Sequence, residues 1–238
     1  MTTFFVHGVP DTHRLWDPLI AELGTGDWRV LSLPGFGTAP PPGFDSHMDS
    51  YAEWLIDQVT QVGGPVHIVG HDWGGLLTLR VAHLRPDLFA SWSVLNASLY
   101  PGLKWHRLAR LWQTPWKGEL AMMLMRGRRA EKLLGRAGMP PALLRTELPL
   151  INSHMKRSIL RLYRSATDIG ADWGDDLGGL PAQGMVIAAE SDPFVPVRVC
   201  ERLAESADVP LKVLPGGHWA VYSHPAPISA ALQAHWAL

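Results

Sequence analysis

Six short runs of apolar residues divide the chain: Thr3–Val6, Arg29–Leu33, Val66–Val69, Ala90–Leu95, Gly184–Ala189 and Leu211–Leu214. Near-continuous apolar runs of this length predict strands buried on both faces, as in a parallel sheet. Between most of them the apolar positions recur every three to four residues. Leu15, Trp16, Leu19, Ile20 and Leu23 share one helix face, with Asp11 or Thr12 as the cap. Ala52, Leu55, Ile56 and Val59 share another, entered by a capping box at Ser46 and Asp49. Val199, Cys200 and Leu203 mark a later helix, and Pro225 opens the last, with Ile228, Ala231, Leu232 and Trp236 facing inward. Strands alternating with helices predict an α/β protein with a mostly parallel sheet and flanking helices.

One stretch breaks the alternation. From about Ser98 to Ala166 the period is helical, no strand is signalled, and Pro101, Pro115, Pro140, Pro141 and Pro149 punctuate the segment. It reads as a helical insertion after the C-terminal end of a strand, where it would cover the crevice in which α/β sheets bind ligands. The expected organisation is a core of residues 1–97 and 167–238 interrupted by a cap at 98–166. The net charge of −1 conceals an asymmetry: residues 100–165 hold 14 Lys and Arg against 3 Asp and Glu, so +11 in this segment faces −12 elsewhere. Such a segment suits nucleic acid, an anion or the protein's own acidic body. Its wealth of Leu, Met and Trp favours the last, so neither nucleic acid nor membrane is an expected partner. A single cysteine, Cys200, excludes an intrachain disulfide and sits among apolar helix positions. No apolar run approaches membrane-span length, and the first residues lack the basic region and cleavage site of a signal peptide, which predicts a cytoplasmic protein.

Candidate chemistry lies at the ends of the predicted strands. Gly70-His71-Asp72-Trp73-Gly74-Gly75 joins an apolar run to a helical pattern, the setting of a nucleophile elbow, with Asp72 where serine usually stands. A carboxylate is ionised at neutral pH and attacks without a base. It is a poor nucleophile for carbonyls but displaces leaving groups at saturated carbon, so the expected intermediate is an alkyl ester of Asp72. His7-Gly8-Val9-Pro10 ends the first strand, and the Val9 and Trp73 amides are the expected oxyanion donors. Glu190-Ser191-Asp192-Pro193 follows the fifth strand. Asp192 is the expected orienting acid, with Glu190 as second choice and a plain helix cap as the structural alternative for Asp192. Gly216-Gly217-His218-Trp219 follows the last strand, and His218 is the expected base, with His224 as competitor. Scattered histidines and a lone cysteine build no metal motif, and no phosphate-binding glycine loop occurs, so neither metal nor organic cofactor is expected.

HGVP, LPGFG at Leu33–Gly37, GHDWGG, ESDPFVP and GGHW together resemble the α/β-hydrolase superfamily, and within it the aspartate-nucleophile branch of epoxide hydrolases and haloalkane dehalogenases. The resemblance spans nearly all of the chain outside the insertion. It implies an α/β-hydrolase fold, here reduced to about six strands because the usual antiparallel hairpin before the HG-bearing strand is missing. It also implies that a cap residue holds the leaving group. Epoxide hydrolases use cap tyrosines, and Tyr163-Arg164 stands 29 residues before Asp192, where that family places one. No second tyrosine occurs at the matching place in the first half of the cap, since Tyr100 is too early. Dehalogenases use indole N–H groups or an Asn after HG; Val9 replaces that Asn, while Trp105, Trp112 and Trp116 are available indoles. Packing on Leu160 is the structural alternative for Tyr163, and filling the apolar cap is the alternative for the tryptophans.

The resemblance thus implies epoxide opening by Asp72, with Tyr163 as proton donor and Trp73, Trp116 and Tyr163 as substrate contacts. Hydrolysis of the ester by water activated at His218–Asp192 then releases a vicinal diol. The expected partner is a small apolar or aromatic epoxide, or a haloalkane, and the protein is a monomer or homodimer. Haloalkane dehalogenation by the same triad is the alternative, and a ligand-binding protein without turnover the third.

Overall fold

A computed structural model describes residues 1–174, 179–181 and 183–237. The six apolar runs form one sheet, β1 (Thr3–Val6), β2 (Trp28–Leu31), β3 (Val66–His71), β4 (Phe89–Leu95), β5 (Gly184–Ala189) and β6 (Leu211–Leu214), in the order β2-β1-β3-β4-β5-β6. Every pairing is parallel. The core helices are α1 (Asp17–Leu23), α2 (Met48–Thr60) and α3 (Trp73–Leu84). Between β4 and β5 come α4 (Arg107–Gln113), α5 (Lys117–Leu124), α6 (Gly127–Arg136), α7 (Pro141–Glu147), α8 (Ser153–Ser165) and α9 (Ile169–Trp173), with no strand among the described residues. After β5 follow α10 (Val197–Ala207), α11 (Ala220–Ser223) and α12 (Pro225–Trp236). No helix among the described residues is long and apolar enough to cross a membrane.

The chain order folds the sheet outward from β1 and β3, so the loops after these two strands meet at a switch in winding direction, where α/β sheets open a crevice. β1 and β3 are buried throughout, matching their unbroken apolar runs. Element ends depart from expectation for local reasons. β2 stops at Leu31 rather than Leu33, because the Leu33 amide is donated to the His7 ring at 3.0 Å and Pro34 has no amide to continue a ladder. The cap of α2 is His47, whose ring accepts the Asp49 amide at 3.3 Å. Ser46 is drawn away from that role: its φ is 63° and its hydroxyl faces Ser158 of α8 at 3.2 Å. Thr12 takes the first cap, as one of the two expected residues. Cys200 is buried beneath α10 and its thiol is pushed up to about 12 by burial, as befits packing rather than reactivity.

The helical insertion contacts the sheet domain differently from its charge pattern. Among the described residues none of its lysines or arginines pairs with an acid of the body; its one ion pair, Arg164–Glu119, is internal. Contact is made by apolar packing and neutral hydrogen bonds instead. The Ser165 hydroxyl accepts the Met48 amide at 2.9 Å, and a β-carbon on Gly35 (φ 88°) would strike the Ser158 side chain. The buried tie is Glu147 at the end of α7, whose Oε1 accepts the Thr12 amide at 3.1 Å and the Thr12 hydroxyl at 2.9 Å. Asp11 beside it accepts the Trp219 indole N–H at 2.9 Å. Burial raises both carboxyls well above their ordinary range, and Asp11 raises Glu147 further; Thr12 and Arg14 only partly oppose this. The pair therefore keeps a proton that the unfolded chain would release.

Because the folded carboxyl holds its proton where the unfolded one does not, this contribution is full in acid and fades as pH rises above the normal glutamate range. Glu147→Gln keeps the acceptor for Thr12 but has no proton to lose. Relative to wild type it should gain about 2 kcal/mol or more of stability between pH 5 and pH 8. Urea unfolding at several pH values checks this; a difference that does not change with pH would refute it.

Candidate active site

The site is built on the reversal between β3 and α3. Asp72 has φ 52° and ψ −120°, a conformation that side chains rarely adopt and that recurs at strained functional turns. Its amide still donates to the Leu95 carbonyl at 3.1 Å, ending the β3–β4 ladder, while its carbonyl accepts the Gly75 and Leu76 amides and starts α3. Two glycines permit the close approach. A β-carbon on Gly74 would meet the Val6 carbonyl, and one on Gly8 would meet the Asp72 side chain itself. The loop after β1 is thereby pressed against the turn, and the Val9 amide donates to Asp72 Oδ1 at 2.8 Å.

His218 reaches the same point from the loop after β6. Its Nδ1 lies 2.8 Å from Asp192 Oδ2, and its Nε2 lies 3.6 Å from Asp72 Oδ2. Asp192 uses its other oxygen to accept the Phe194 and Val195 amides at 2.7 and 3.0 Å, so it closes its own turn and orients the imidazole at once. Glu190 and His224 are exposed and stand outside this cluster. Asp72, Asp192 and His218, predicted from three strand ends, are brought together.

Two groups not expected from the sequence hold His218 from beneath. The His71 ring Nε2 donates to the His218 carbonyl at 2.7 Å, and Asn96 Nδ2 donates to the same carbonyl at 2.8 Å. Asn96 in turn accepts the Ala189 amide at 2.8 Å, tying β4, β5 and the histidine loop together. Burial, then the His218 charge, lowers His71 to about 3, which keeps this ring neutral. His7 is likewise lowered, to about 4, by burial. With Nδ1 against the Gly8 carbonyl and Nε2 accepting from Leu33, it braces its own loop.

Charge organises the rest. Burial pulls His218 down, yet Asp192, Asp72 and Asp11 outweigh it and raise the imidazole to about 9. Burial pushes Asp192 up, but the His218 N–H and charge and the two turn amides leave it below the ordinary range. Asp72 is raised by burial, against the pull of His218 and the Val9 and Trp73 amides. His218 thus lies between two carboxyl groups, both of which favour its protonated form.

Asp72 lies at the junction of two cavities. The larger, about 410 Å³, is lined by Val9, Leu108, Trp112, Leu134, Tyr163 and His218 among others. The smaller, about 210 Å³, is lined by Asn96, Ser98, Tyr100, Lys104 and Arg198. His106 and Phe194 border both. Tyr163 lies in the larger cavity with its ring 4.9 Å from that of Trp112. Burial first, then the Asp72 charge, raises its phenol well above the usual value, so it stays protonated. The structure corrects two expected substrate contacts. Trp116 is 87% exposed and lines neither cavity. It precedes α5 with φ 65°. The Trp73 ring is fully buried behind Trp105 and Tyr163, 5.5 and 5.4 Å away, so only its amide is placed to serve the site. Trp105 spends its N–H on the Ala166 carbonyl at 2.6 Å.

His106 is the lining residue that sequence reasoning passed over. It caps α4, its Nδ1 accepting the Ala109 amide at 3.3 Å, which leaves Nε2 to carry the ring proton. Burial, then the His218 charge, lowers it to about 4, so it is neutral at pH 7 and a donor. Its signal was faint: a histidine one residue before a helical pattern, in a position more often held by Ser or Asp.

If Asp72 helps hold the proton on His218, removing its charge must release it. In Asp72→Ala the imidazole should titrate at lower pH than in wild type, measured by nuclear magnetic resonance of the ring. An unchanged midpoint would contradict the coupling.

The model of the alpha/beta hydrolase family matches residues 4–231. The (E)-2-((N-methylformamido)methylene)succinate hydrolase of Acinetobacter baylyi is 34% identical over 94 residues, 38% of this chain and 35% of that protein. The bifunctional epoxide hydrolase 2 of Rattus norvegicus is 29% identical over 100 residues, 40% of this chain and 18% of that protein. The chain thus spans little more than a third of the first relative and less than a fifth of the second. Haloalkane dehalogenase DbeA of Bradyrhizobium elkani has the same fold, with a TM-score of 0.78 at 20% identity over 99% of this chain and 91% of its own. A sheet of six parallel strands, an elbow after the third and a family match over nearly the full length agree: this chain belongs to the alpha/beta hydrolase family.

Proposed function

We propose that the chain opens epoxides to vicinal diols through an alkyl ester on Asp72. The observation that carries this reading is the division of labour at one carboxylate. Oδ1 is held by the Val9 amide at 2.8 Å, while Oδ2 faces His218 Nε2 at 3.6 Å. Oδ2 attacks the less hindered epoxide carbon as the C–O bond on its far side breaks. The leaving oxygen takes a proton from Tyr163, and His106 Nε2–H donates a second hydrogen bond in place of the tyrosine that the sequence lacks. An alkoxide is a stronger base than a phenolate, so the transfer runs toward the product even though the phenol is a weak acid here.

Alkylation removes the charge of Asp72, one of the three that keep the proton on His218. The imidazole then gives up this proton, which passes through solvent to the phenolate left on Tyr163 by the first step, and the neutral ring acts as base. Water attacks the ester carbon, His218 accepts its proton, and the new oxyanion forms at Oδ1, already beside the Val9 amide, with Trp73 as second donor. Collapse releases the diol and restores the carboxylate.

A second reading has its own support. Trp112 lines the larger cavity, and its indole N–H is buried without a hydrogen-bond partner. This indole is suited to hold a departing halide, and the covalent step would be the same.

His218→Gln should form the ester and fail to release it, so intact mass after exposure to a reactive epoxide such as styrene oxide should show one adduct, mapped to Asp72. Absence of any adduct with epoxides and haloalkanes alike would overturn the scheme. Tyr163→Phe and His106→Asn, the latter preserving the α4 cap, should each slow ester formation by about 10²-fold if each donor acts alone. Measuring diol against halide release separates the two readings.

A further inference from the structure

We infer that the substrate carries a carboxylate on its own arm, seated in the smaller cavity against Lys104 and Arg198, while its apolar arm fills the larger one. This rests on the Asp72 reaction above and names the class of molecule that enters it.

The geometry divides the space around Asp72 into two unlike compartments. The larger is walled by Leu108, Trp112, Leu133, Leu134 and Ala137. It is large enough for an aliphatic or aromatic body: about 150 Å³ suffices for benzene. The smaller opens beside the end of β4 and is walled by Asn96, Ser98, Tyr100, Lys104 and Arg198. At about 210 Å³ it holds a short arm rather than a second body. Both compartments reach Asp72, and His106 and Phe194 stand between them. An epoxide ring presented to Asp72 therefore directs one substituent into each.

The charges of the smaller compartment are uneven. Apart from Asp72, which faces His218, its charged groups are Lys104 and Arg198, and neither forms an ion pair among the described residues. A neutral arm would leave two cations beside it without a counter-ion. A carboxylate arm pairs with both and sits as far from Asp72 as the compartment allows. Both cations are exposed, so water screens them, and the preference they confer is moderate. Arg136, the cation of the larger compartment, is also exposed and stands among apolar walls, whereas Lys212 on β6 is exposed, lines neither compartment and serves as a control.

The test separates binding from reaction. Calorimetric titration of the full chain with 4-phenylbutyrate and with its neutral counterpart 4-phenylbutan-1-ol should show the acid binding about 5- to 20-fold more tightly, as two screened contacts permit. Lys104→Ala combined with Arg198→Ala should abolish this preference and leave the alcohol unchanged; Lys212→Ala should leave both ligands unchanged. Equal affinities in wild type, binding of neither ligand, or a preference that survives the double variant would overturn the inference. In parallel, a carboxylated epoxide and its methyl ester are compared in turnover. The acid should show the higher kcat/KM in wild type only. If the acid preference holds in binding but no epoxide reacts, the reaction reading fails and the anion site stands. If neutral epoxides turn over as well as acids, the reaction stands and the anion site fails.

Discussion

The site depends on one backbone constraint, the reversal at Asp72. A side chain at φ 52° is uphill for any residue but glycine, and the surrounding contacts hold it there. The Leu95 carbonyl fixes it from the sheet, α3 begins from its own carbonyl, and the bare α-carbons of Gly74 and Gly8 let β1 and its loop close upon it. Relaxing the turn would withdraw the carboxylate from the Val9 amide and from His218 together. Strand order, the length of β3 and the glycines on either side all serve to keep one oxygen donor-bound and the other facing His218.

Electrostatics then work on that rigid frame. Three carboxylates converge on His218, and each is differently poised: Asp192 is held ionised by amides, Asp72 is exposed enough to react (17% of its side chain), and Asp11 is buried beside a second carboxyl. The same burial that would neutralise an isolated imidazole is outweighed by this surrounding charge. Under the proposed ester mechanism such a centre would not require a base poised at neutrality from the start, because alkylation of Asp72 would itself change the field.

Much of this was legible in the chain. Apolar runs located the strands because β1, β3, β4 and β5 are buried nearly throughout, whereas the edge strands β2 and β6, expected to be buried as well, are partly exposed. Three chemical residues lay just past three of the strands. What was hidden falls into recognisable kinds. His71 and Asn96 act through a backbone carbonyl, and nothing in a sequence marks which carbonyl a side chain will meet. His106 sits within a loop whose path depends on Trp105 and Phe194 packing around it. Trp116 misled because residue type speaks to capacity and not to placement, and it stands exposed before α5. The excess positive charge of the insertion misled in a similar way: the segment adheres through Ser165, Ser158, Thr12 and Glu147, neutral or protonated groups that net charge does not count.

The hold on His218 has a consequence of its own. His71 and Asn96 grip a main-chain oxygen, which every amino acid possesses, and the imidazole contributes nothing to that grip. The loop is consequently indifferent to what it displays. A fold that secures this position by the peptide backbone can exchange the side chain there while these two hydrogen bonds persist.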